Sequence, residues 1–118
     1  MKYLCLIYDD EKKIADMPKA EGDAFMGEYF GFTNDIKQSG HYVAGEALHP
    51  VSTATTVRIR NGKVSTTDGP FAETKEQLGG FYLVDAKDLN EALQVAQRIP
   101  SARIGSIEVR PVVDFSQA

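Results

Sequence analysis

Apolar residues in this chain occur in short runs and alternating segments, which are the patterns of β-strands. Continuous apolar runs occur at residues 3–8 and 81–84. Such runs are typical of strands covered on both faces, so we expect both segments in the centre of a sheet. Two further strands are expected at residues 41–47 and 107–112. Pro111 has no backbone N–H to donate, which indicates that the last strand ends at a sheet edge.

The clearest alternation in the chain predicts a β-hairpin. Apolar and polar side chains alternate in residues 53–60 and again in residues 63–68. The Asn-Gly pair at 61–62 is the pair preferred in a two-residue type I′ turn. That turn sets a register in which Ile59 lies opposite Val64, so the apolar sides of the two strands match.

Two segments carry the period of amphipathic helices. In residues 21–39, apolar residues recur every three or four positions and form one stripe that faces a core. The members of this stripe are Phe25, Tyr29, Phe32 and Ile36. A second helix is expected after Asp88, which can cap the first turn together with Glu91, and Pro100 ends it. The charged residues at 9–13 are predicted to form a solvated polar loop.

The order of these elements is strand, helix, strand, hairpin, strand, helix, strand. It predicts one α+β domain over residues 1–118 with a ferredoxin-like arrangement: β-α-β, an added hairpin, then a second β-α-β. The sheet is antiparallel and carries both helices on one face. Because the central strands are apolar on both sides, the other face also needs a cover, which nothing left in the chain can supply. We therefore expect a homodimer with the two sheets face to face.

Composition narrows the class of protein. The chain has 118 residues, 42% apolar and 25% charged, which is typical of a globular domain with one core. A formal net charge of −4, with scattered basic residues, argues against nucleic acid as a partner. No segment has the length and pattern of a membrane span or a signal peptide, so we expect a cytoplasmic protein. The single cysteine, Cys5, lies in an apolar run and is expected to be buried.

A dense stretch after the hairpin follows neither a helical nor a strand period. It runs from Asp68-Gly69-Pro70-Phe71 through Ala72-Glu73-Thr74-Lys75-Glu76 to Leu78-Gly79-Gly80-Phe81-Tyr82. Together with Met1-Lys2-Tyr3 and Arg110-Pro111, this stretch resembles the DGPF family of the YCII-related superfamily. The resemblance covers nearly the whole chain. It implies a dimeric α+β barrel of ferredoxin-like protomers and, in many members, an association with genes for extracytoplasmic-function sigma factors.

The resemblance implies less about activity. Some YCII-like proteins are proposed to use a His-Asp pair as acid and base, and one branch assists dechlorination of aromatic breakdown products. The family's histidine lies near the start of the first helix. Here that region reads Glu-Gly-Asp-Ala-Phe-Met at 21–26, without a histidine. The His-Asp pair therefore cannot be transferred to this chain.

His49 and Asp68 are the candidate acid-base residues. Asp68 ends a strand before Gly-Pro, so it either accepts backbone hydrogen bonds that set the turn or places a carboxylate at the mouth of a cleft between the sheets. His49 precedes Pro50, which restricts its backbone, and an unperturbed histidine titrates near neutrality. The alternative for His49 is an exposed loop histidine without a function.

The candidate ligand-binding residues lie mostly in the same stretch. They are Phe71, Glu73, Lys75, Glu76 and Arg58. The charged residues of the stretch form either a paired acid and base or a solvated charge run, and Arg58 either meets an anionic ligand or solvates a sheet edge. With two histidines and one cysteine, no zinc set can be assembled, and no cofactor motif is present.

Two hypotheses of function follow. In the first, the protein is an enzyme that acts on a small metabolite in a cleft near the Asp68–Phe71 loop. His49 and Asp68 then serve as acid and base, with Glu73 and Lys75 assisting. In the second, the same cleft binds a small ligand or a partner without catalysis and reports its presence, as a regulatory module would.

Overall fold

Residues 1–117 are described by a computed structural model. Their strands are β1 (Lys2–Asp9), β2 (Tyr42–Ala47), β3 (Thr55–Arg60), β4 (Lys63–Asp68), β5 (Gln77–Asp85) and β6 (Ser106–Pro111). The α-helices are α1 (Glu11–Ala15), α2 (Lys19–Gln38) and α3 (Leu89–Ala96). Short 3₁₀-helices lie at Val51–Thr53, Pro100–Arg103 and Phe115–Gln117.

Four of the strands form an antiparallel sheet in the order β2-β5-β1-β6. This order confirms the ferredoxin-like arrangement. The two strands that are apolar on both sides, β1 and β5, are central, and β6, which ends at Pro111, is an edge strand. Cys5 lies opposite Tyr82 and Leu4 opposite Leu83, so alternate residues of the two central strands face opposite sides of the sheet.

The two sides of the sheet differ in burial. On one side, Tyr3, Cys5 and Ile7 are buried in a single apolar core with residues of both long helices. The helix residues in this core include Phe32, Ile36, Ala92, Val95 and Ala96. The other side, which we call the open face, consists of Leu4, Leu6, Phe81 and Leu83, and all four stay partly exposed. Within one chain, apolar burial therefore stabilises only the helix-covered side.

The region before α2 differs from the expected polar loop. The side chain of Asp10 accepts hydrogen bonds from the backbone N–H groups of Lys12 and Lys13, and it caps the short helix α1. After Pro18, α2 begins at Lys19, two residues earlier than the apolar stripe predicts. Among residues 1–117, no helix is both long and apolar enough to cross a membrane.

The predicted hairpin is confirmed in its turn and its register. Asn61 and Gly62 have φ angles of 53° and 76°, as a type I′ turn requires, and Ile59 lies opposite Val64. β3 and β4 form a separate two-stranded sheet, in which every residue of β4 is exposed. The radius of gyration is 16.4 Å, whereas a compact chain of this length has roughly 13–14 Å. The hairpin thus extends away from the rest of the chain.

Candidate functional site

The carboxylate of Asp9 lies at the end of the central strand β1 and is surrounded by other elements. Its Oδ2 accepts a hydrogen bond of 2.8 Å from the hydroxyl of Ser101. Its Oδ1 is buried and has no hydrogen-bond partner among the described residues. Gly105 closes over this carboxylate, since a Cβ at that position would lie 2.7 Å from Asp9 Oδ1 and 2.1 Å from the carbonyl oxygen of Tyr8. Only glycine permits such a close approach.

Ser101 connects Asp9 to a tyrosine. It lies in the 3₁₀-helix Pro100–Arg103 and is fully buried. Its hydroxyl is also hydrogen-bonded to the hydroxyl of Tyr29, which projects from α2. Because Ser101 donates its proton to Asp9, Tyr29 donates to Ser101. The three side chains therefore form a hydrogen-bonded chain in the direction Tyr29 to Ser101 to Asp9.

The surroundings of this hydrogen-bonded chain favour the protonated forms of Asp9 and Tyr29. Burial raises the pKa of the Asp9 carboxyl, the hydrogen bond from Ser101 opposes this, and the negative charge of Glu76 raises the pKa further. Burial raises the pKa of Tyr29 to about 12. Glu76 itself accepts a 2.7 Å hydrogen bond from the hydroxyl of Ser106. Asp9 is therefore a carboxyl group that takes up a proton more readily than an exposed one.

A cavity of about 280 Å³ lies beside the hydrogen-bonded side chains, and we call it the Asp9 cavity. It lies between α2 and the strands β2 and β5, and its lining includes Asp9, Tyr29, Thr33, Tyr42, Gly45, Phe81 and Tyr82. The hydroxyl of Tyr82 is 2.5 Å from Thr33 Oγ1, which fixes the ring across the cavity. Gly45 makes room for that ring, since a Cβ there would lie 2.9 Å from Tyr82 Cδ1. The cavity thus combines aromatic walls with hydroxyl and carboxyl groups.

A second cavity, of about 510 Å³, lies beside the Asp68–Phe71 loop, and we call it the loop cavity. His49 and Phe71, both predicted from the sequence, line it together. Most of its other lining residues are apolar, and they include Tyr8, Leu48, Pro50, Val51, Pro70 and Leu78. The side chains of His49 and Phe71 are both exposed. This cavity is therefore larger and more apolar than the Asp9 cavity, but its polar groups remain in contact with water.

Most of the other residues predicted from the sequence do not line either cavity. Within residues 1–117, the lining of neither cavity includes Asp68, Glu73, Lys75 or Arg58. Asp68 is exposed at the end of β4, and the turn after it is held by Gly69, which has a φ of 114° and donates a 2.7 Å hydrogen bond to the carbonyl of Ala54. Glu76 is the exception, because its charge acts on Asp9.

Sequence reasoning did not find the three residues that form the hydrogen-bonded chain. It placed Asp9 in a solvated loop, assigned Tyr29 to the core and did not consider Ser101. They are far apart in sequence, with 92 positions between Asp9 and Ser101. The sequence held one signal: Asp9 directly follows a run that is apolar on both sides of the predicted strand. Its carboxylate is therefore placed next to the covered part of the sheet.

The fold and this site define a class: a ferredoxin-like α+β protein with a small tyrosine-lined pocket beside a half-buried carboxyl group. The chain belongs to the YCII-related domain family, whose profile matches residues 1–116, and this confirms the resemblance seen in the sequence.

Two proteins illustrate the relationship. "Uncharacterized protein R00369" of Rhizobium meliloti (strain 1021) is 39% identical over 114 residues, which are 95% of this chain and 92% of that protein. Among solved structures, 5-chloro-2-hydroxyhydroquinone dehydrochlorinase (TftG) from Burkholderia phenoliruptrix AC1100, in complex with 2,5-dihydroxybenzoquinone, is similar with a TM-score of 0.56. The match covers 99% of this chain and 98% of that one at 12% identity, so it shows the shared fold.

Proposed function

We propose that this protein is an enzyme that moves a proton to or from a small ring compound bound in the Asp9 cavity. The observation that carries the proposal is the Asp9 carboxyl, which has a pKa raised by burial and one oxygen without a hydrogen-bond partner among residues 1–117. Burying such a group costs stability, and ionisable groups with perturbed pKa values are concentrated at functional sites. A carboxyl with a raised pKa is also better matched to proton transfer near neutral pH.

The hydrogen-bonded chain gives the proton a route. When Asp9 is ionised, the substrate gives a proton to the hydroxyl oxygen of Tyr29, a residue that lines the cavity. Tyr29 passes its own proton to Ser101, and Ser101 passes its proton to Asp9 Oδ2. One proton thus leaves the substrate and one arrives on Asp9. The reverse sequence returns it, so the same three residues serve as base and as acid.

The size and lining of the cavity favour a single hydroxylated ring as the substrate. A cavity of about 150 Å³ is enough to hold benzene, and the Asp9 cavity has about 280 Å³. The rings of Tyr29, Tyr42 and Tyr82 supply apolar surface together with hydroxyl groups for a polar substituent. The ligand of the structurally similar dehydrochlorinase, 2,5-dihydroxybenzoquinone, is a ring of this kind and supports the proposal.

The test follows proton exchange on such a ring. The protein is incubated in deuterated buffer with a panel of single-ring hydroxylated compounds that includes 2,5-dihydroxybenzoquinone, and deuterium entry at ring carbons is followed by NMR. We expect the wild type to accelerate exchange on at least one compound, and Asp9→Asn and Tyr29→Phe to lose the acceleration. Asp68→Asn is the matched control, because it makes the same change at an exposed carboxylate. Equal exchange with wild type and Asp9→Asn would refute the proposal.

A second candidate function is binding of a small apolar molecule in the loop cavity without catalysis. It is favoured by the apolar lining of this 510 Å³ space. His49, which lines this cavity, and the nearby sequence candidates Asp68, Glu73 and Lys75 are candidate contacts for a polar group of the ligand. A thermal-shift screen tests it: a ligand should raise the melting temperature of the wild type but not of Phe71→Ala, whereas Asp9→Asn should respond as the wild type does.

We also propose that the protein acts as a homodimer. The support is the open face, where Leu4, Leu6, Phe81 and Leu83 stay partly exposed although they lie on the central strands. Stacking two open faces would bury them as in a β-sandwich. Light scattering at micromolar concentration should give twice the mass of the chain. A monomer at that concentration would contradict the homodimer without bearing on the Asp9 site.

A further inference from the structure

A second pair of hydroxyl groups lines the Asp9 cavity, and the reaction proposed above does not use it. The hydroxyl of Tyr82, on β5, is hydrogen-bonded to Oγ1 of Thr33, on α2, and both residues line the cavity. Each hydroxyl has one proton to donate, and their mutual bond takes only one of the two. Among residues 1–117, neither hydroxyl has another hydrogen-bond partner. Because an unpaired donor away from water costs free energy, the remaining proton is available to an acceptor in the cavity.

The ring of Tyr82 is held in place before any ligand binds. Its side chain is 8% exposed, and Phe32 packs against it edge to face, with 5.2 Å between the ring centroids. Tyr42 does the same at 6.4 Å. Burial raises the pKa of Tyr82, the hydrogen bond with Thr33 opposes this, and Tyr42 raises the pKa further. The phenol therefore stays neutral, and a neutral donor fixed in advance can stabilise a negative charge that develops on a substrate oxygen.

This donor and the proton route to Asp9 reach the cavity from neighbouring positions. Tyr29 and Thr33 are one turn apart on α2, which places their Cβ atoms about 5–6 Å apart on one side of the helix. Two groups at this spacing can act on neighbouring atoms of one bound ring. A carbon acid has such a pair of atoms: the carbon that loses the proton, and the adjacent carbonyl whose oxygen receives the charge.

We propose that Tyr82 is a second catalytic residue of the Asp9 cavity, which donates a hydrogen bond to a carbonyl oxygen of the substrate, and that the substrate is an enolisable ring ketone. Thr33 is a positioning residue, which donates to Tyr82 and so leaves the phenol proton for the substrate. This inference rests on the proton transfer proposed above and supplies its other end.

The step is an interconversion of keto and enol forms. A proton leaves the ring carbon next to the carbonyl and passes to Tyr29. The electron pair of the broken C–H bond forms a C=C bond, and the π pair of the C=O bond moves onto the oxygen. Tyr82 stabilises this oxyanion, which then takes a proton from water, so no electron is gained or lost. Because the oxygen carries more charge in the transition state than in the ketone, the hydrogen bond lowers the barrier.

The first experiment measures deuterium entry at the ring carbons of 2-hydroxycyclohex-2-enone, at saturating concentration, by NMR. Tyr82→Phe removes one hydroxyl, and we expect the exchange rate to fall about 100-fold, as for other oxyanion donors. Thr33→Val should lower the rate by less, and Thr33→Ser should keep the wild-type rate. The matched control is Tyr3→Phe, the same change at a core tyrosine outside the cavity, with the wild-type rate expected. Catechol, which has no carbonyl, should show no acceleration.

The second experiment measures binding of the same ketone. We expect the dissociation constant to rise about fivefold in Tyr82→Phe, as for the loss of one neutral hydrogen bond, and to stay unchanged in Tyr3→Phe. The infrared carbonyl band of the bound ketone should lie at lower frequency with the wild type than with Tyr82→Phe, because a hydrogen bond weakens the C=O bond.

The outcomes separate this inference from the proton transfer on which it rests. Exchange that is lost in Asp9→Asn but kept in Tyr82→Phe would overturn the role of Tyr82 and leave the proton transfer standing. Equal acceleration on catechol would overturn the ketone as substrate class. A wild type that binds the ketone without exchange would overturn both catalytic roles, and so would one that does neither. If Tyr82→Phe does not fold, equal exchange rates in Thr33→Val and Thr33→Ser would overturn the inference.

Discussion

The two cavities of this protein are built in opposite ways. The Asp9 cavity lies between α2 and the strands β1, β2 and β5, and the side chains of Asp9 and Tyr29 in its lining are half-buried. The loop cavity is formed by connecting segments around Phe71, and its one histidine is exposed. In the first cavity, burial raises the pKa values of Asp9 and Tyr29. The comparison shows that the Asp68–Phe71 motif, although rich in turn-forming and charged residues, does not contain the ionisable groups whose pKa values burial raises.

The largest difference between the cavities should appear in catalysis. Asp9→Asn removes the proton acceptor, and general acid-base catalysis typically contributes about 10²–10⁴-fold. We therefore expect ring proton exchange to fall by at least about 100-fold in Asp9→Asn and by less than about twofold in His49→Ala. The NMR exchange rate measures both. A larger loss of the exchange rate in His49→Ala than in Asp9→Asn would assign the catalytic role to the loop cavity.

The pH dependence of the same rate sharpens this comparison. As a base, Asp9 must be ionised, so the rate should rise with pH through the pKa of the Asp9 carboxyl. Because burial raises that pKa, the midpoint should lie above 3.8, the ordinary value of an aspartate side chain. The rise should persist in Asp68→Asn. A midpoint at or below the ordinary value for aspartate would contradict the buried environment.

A next smaller effect concerns packing around the carboxylate. In Gly105→Ala, the new Cβ would overlap the carbonyl oxygen of Tyr8, so backbone must shift. We expect the free energy of unfolding to fall by about 2–3 kcal/mol, as for overpacked core sites. The control is Gly79→Ala, where a Cβ would meet nothing within 4 Å. Urea denaturation measures both, and equal stabilities would show that Gly105 does not enclose Asp9.

Asp9→Asn should change the free energy of unfolding by less than Gly105→Ala does, and in the opposite direction. A carboxyl whose pKa is raised on folding binds protons more tightly in the folded state, so its contribution to stability declines as pH rises from the unfolded value of 3.8 through the folded pKa. At neutral pH, Asp9→Asn should therefore raise the free energy of unfolding, and urea denaturation measures the difference. Below the unfolded pKa the two proteins should differ little. Lower stability of Asp9→Asn at pH 7 would indicate a structural carboxylate.

The smallest effect is expected in the loop cavity. Phe71 is largely exposed, so Phe71→Ala should change the free energy of unfolding by less than about 0.5 kcal/mol. The same denaturation experiment measures it. A loss above 1 kcal/mol would show that Phe71 packs against a surface, such as a second copy, that covers it in solution.

Local sequence determined much of this protein. The period of apolar residues predicted the two central strands and both long helices, because burial on one or two faces leaves its mark on neighbouring positions. The Asn61-Gly62 pair determined the turn and the register of the β3–β4 hairpin, since few residue pairs adopt positive φ at both positions. Asp88 determined the start of α3, because its side chain accepts a hydrogen bond from the backbone N–H of Glu91.

The Asp9 site was decided by tertiary structure alone. Whether a carboxylate at the end of a strand is solvated or buried depends on what folds over it, and Ser101, Gly105 and Tyr29 do so from distant parts of the chain. No local period records such an encounter. The sequence therefore determined which segments become strands and helices, and it determined that the β3–β4 hairpin ends at the Asp68–Phe71 motif. Packing decided which of its seventeen acidic residues is joined by hydrogen bonds through Ser101 to a tyrosine at a cavity.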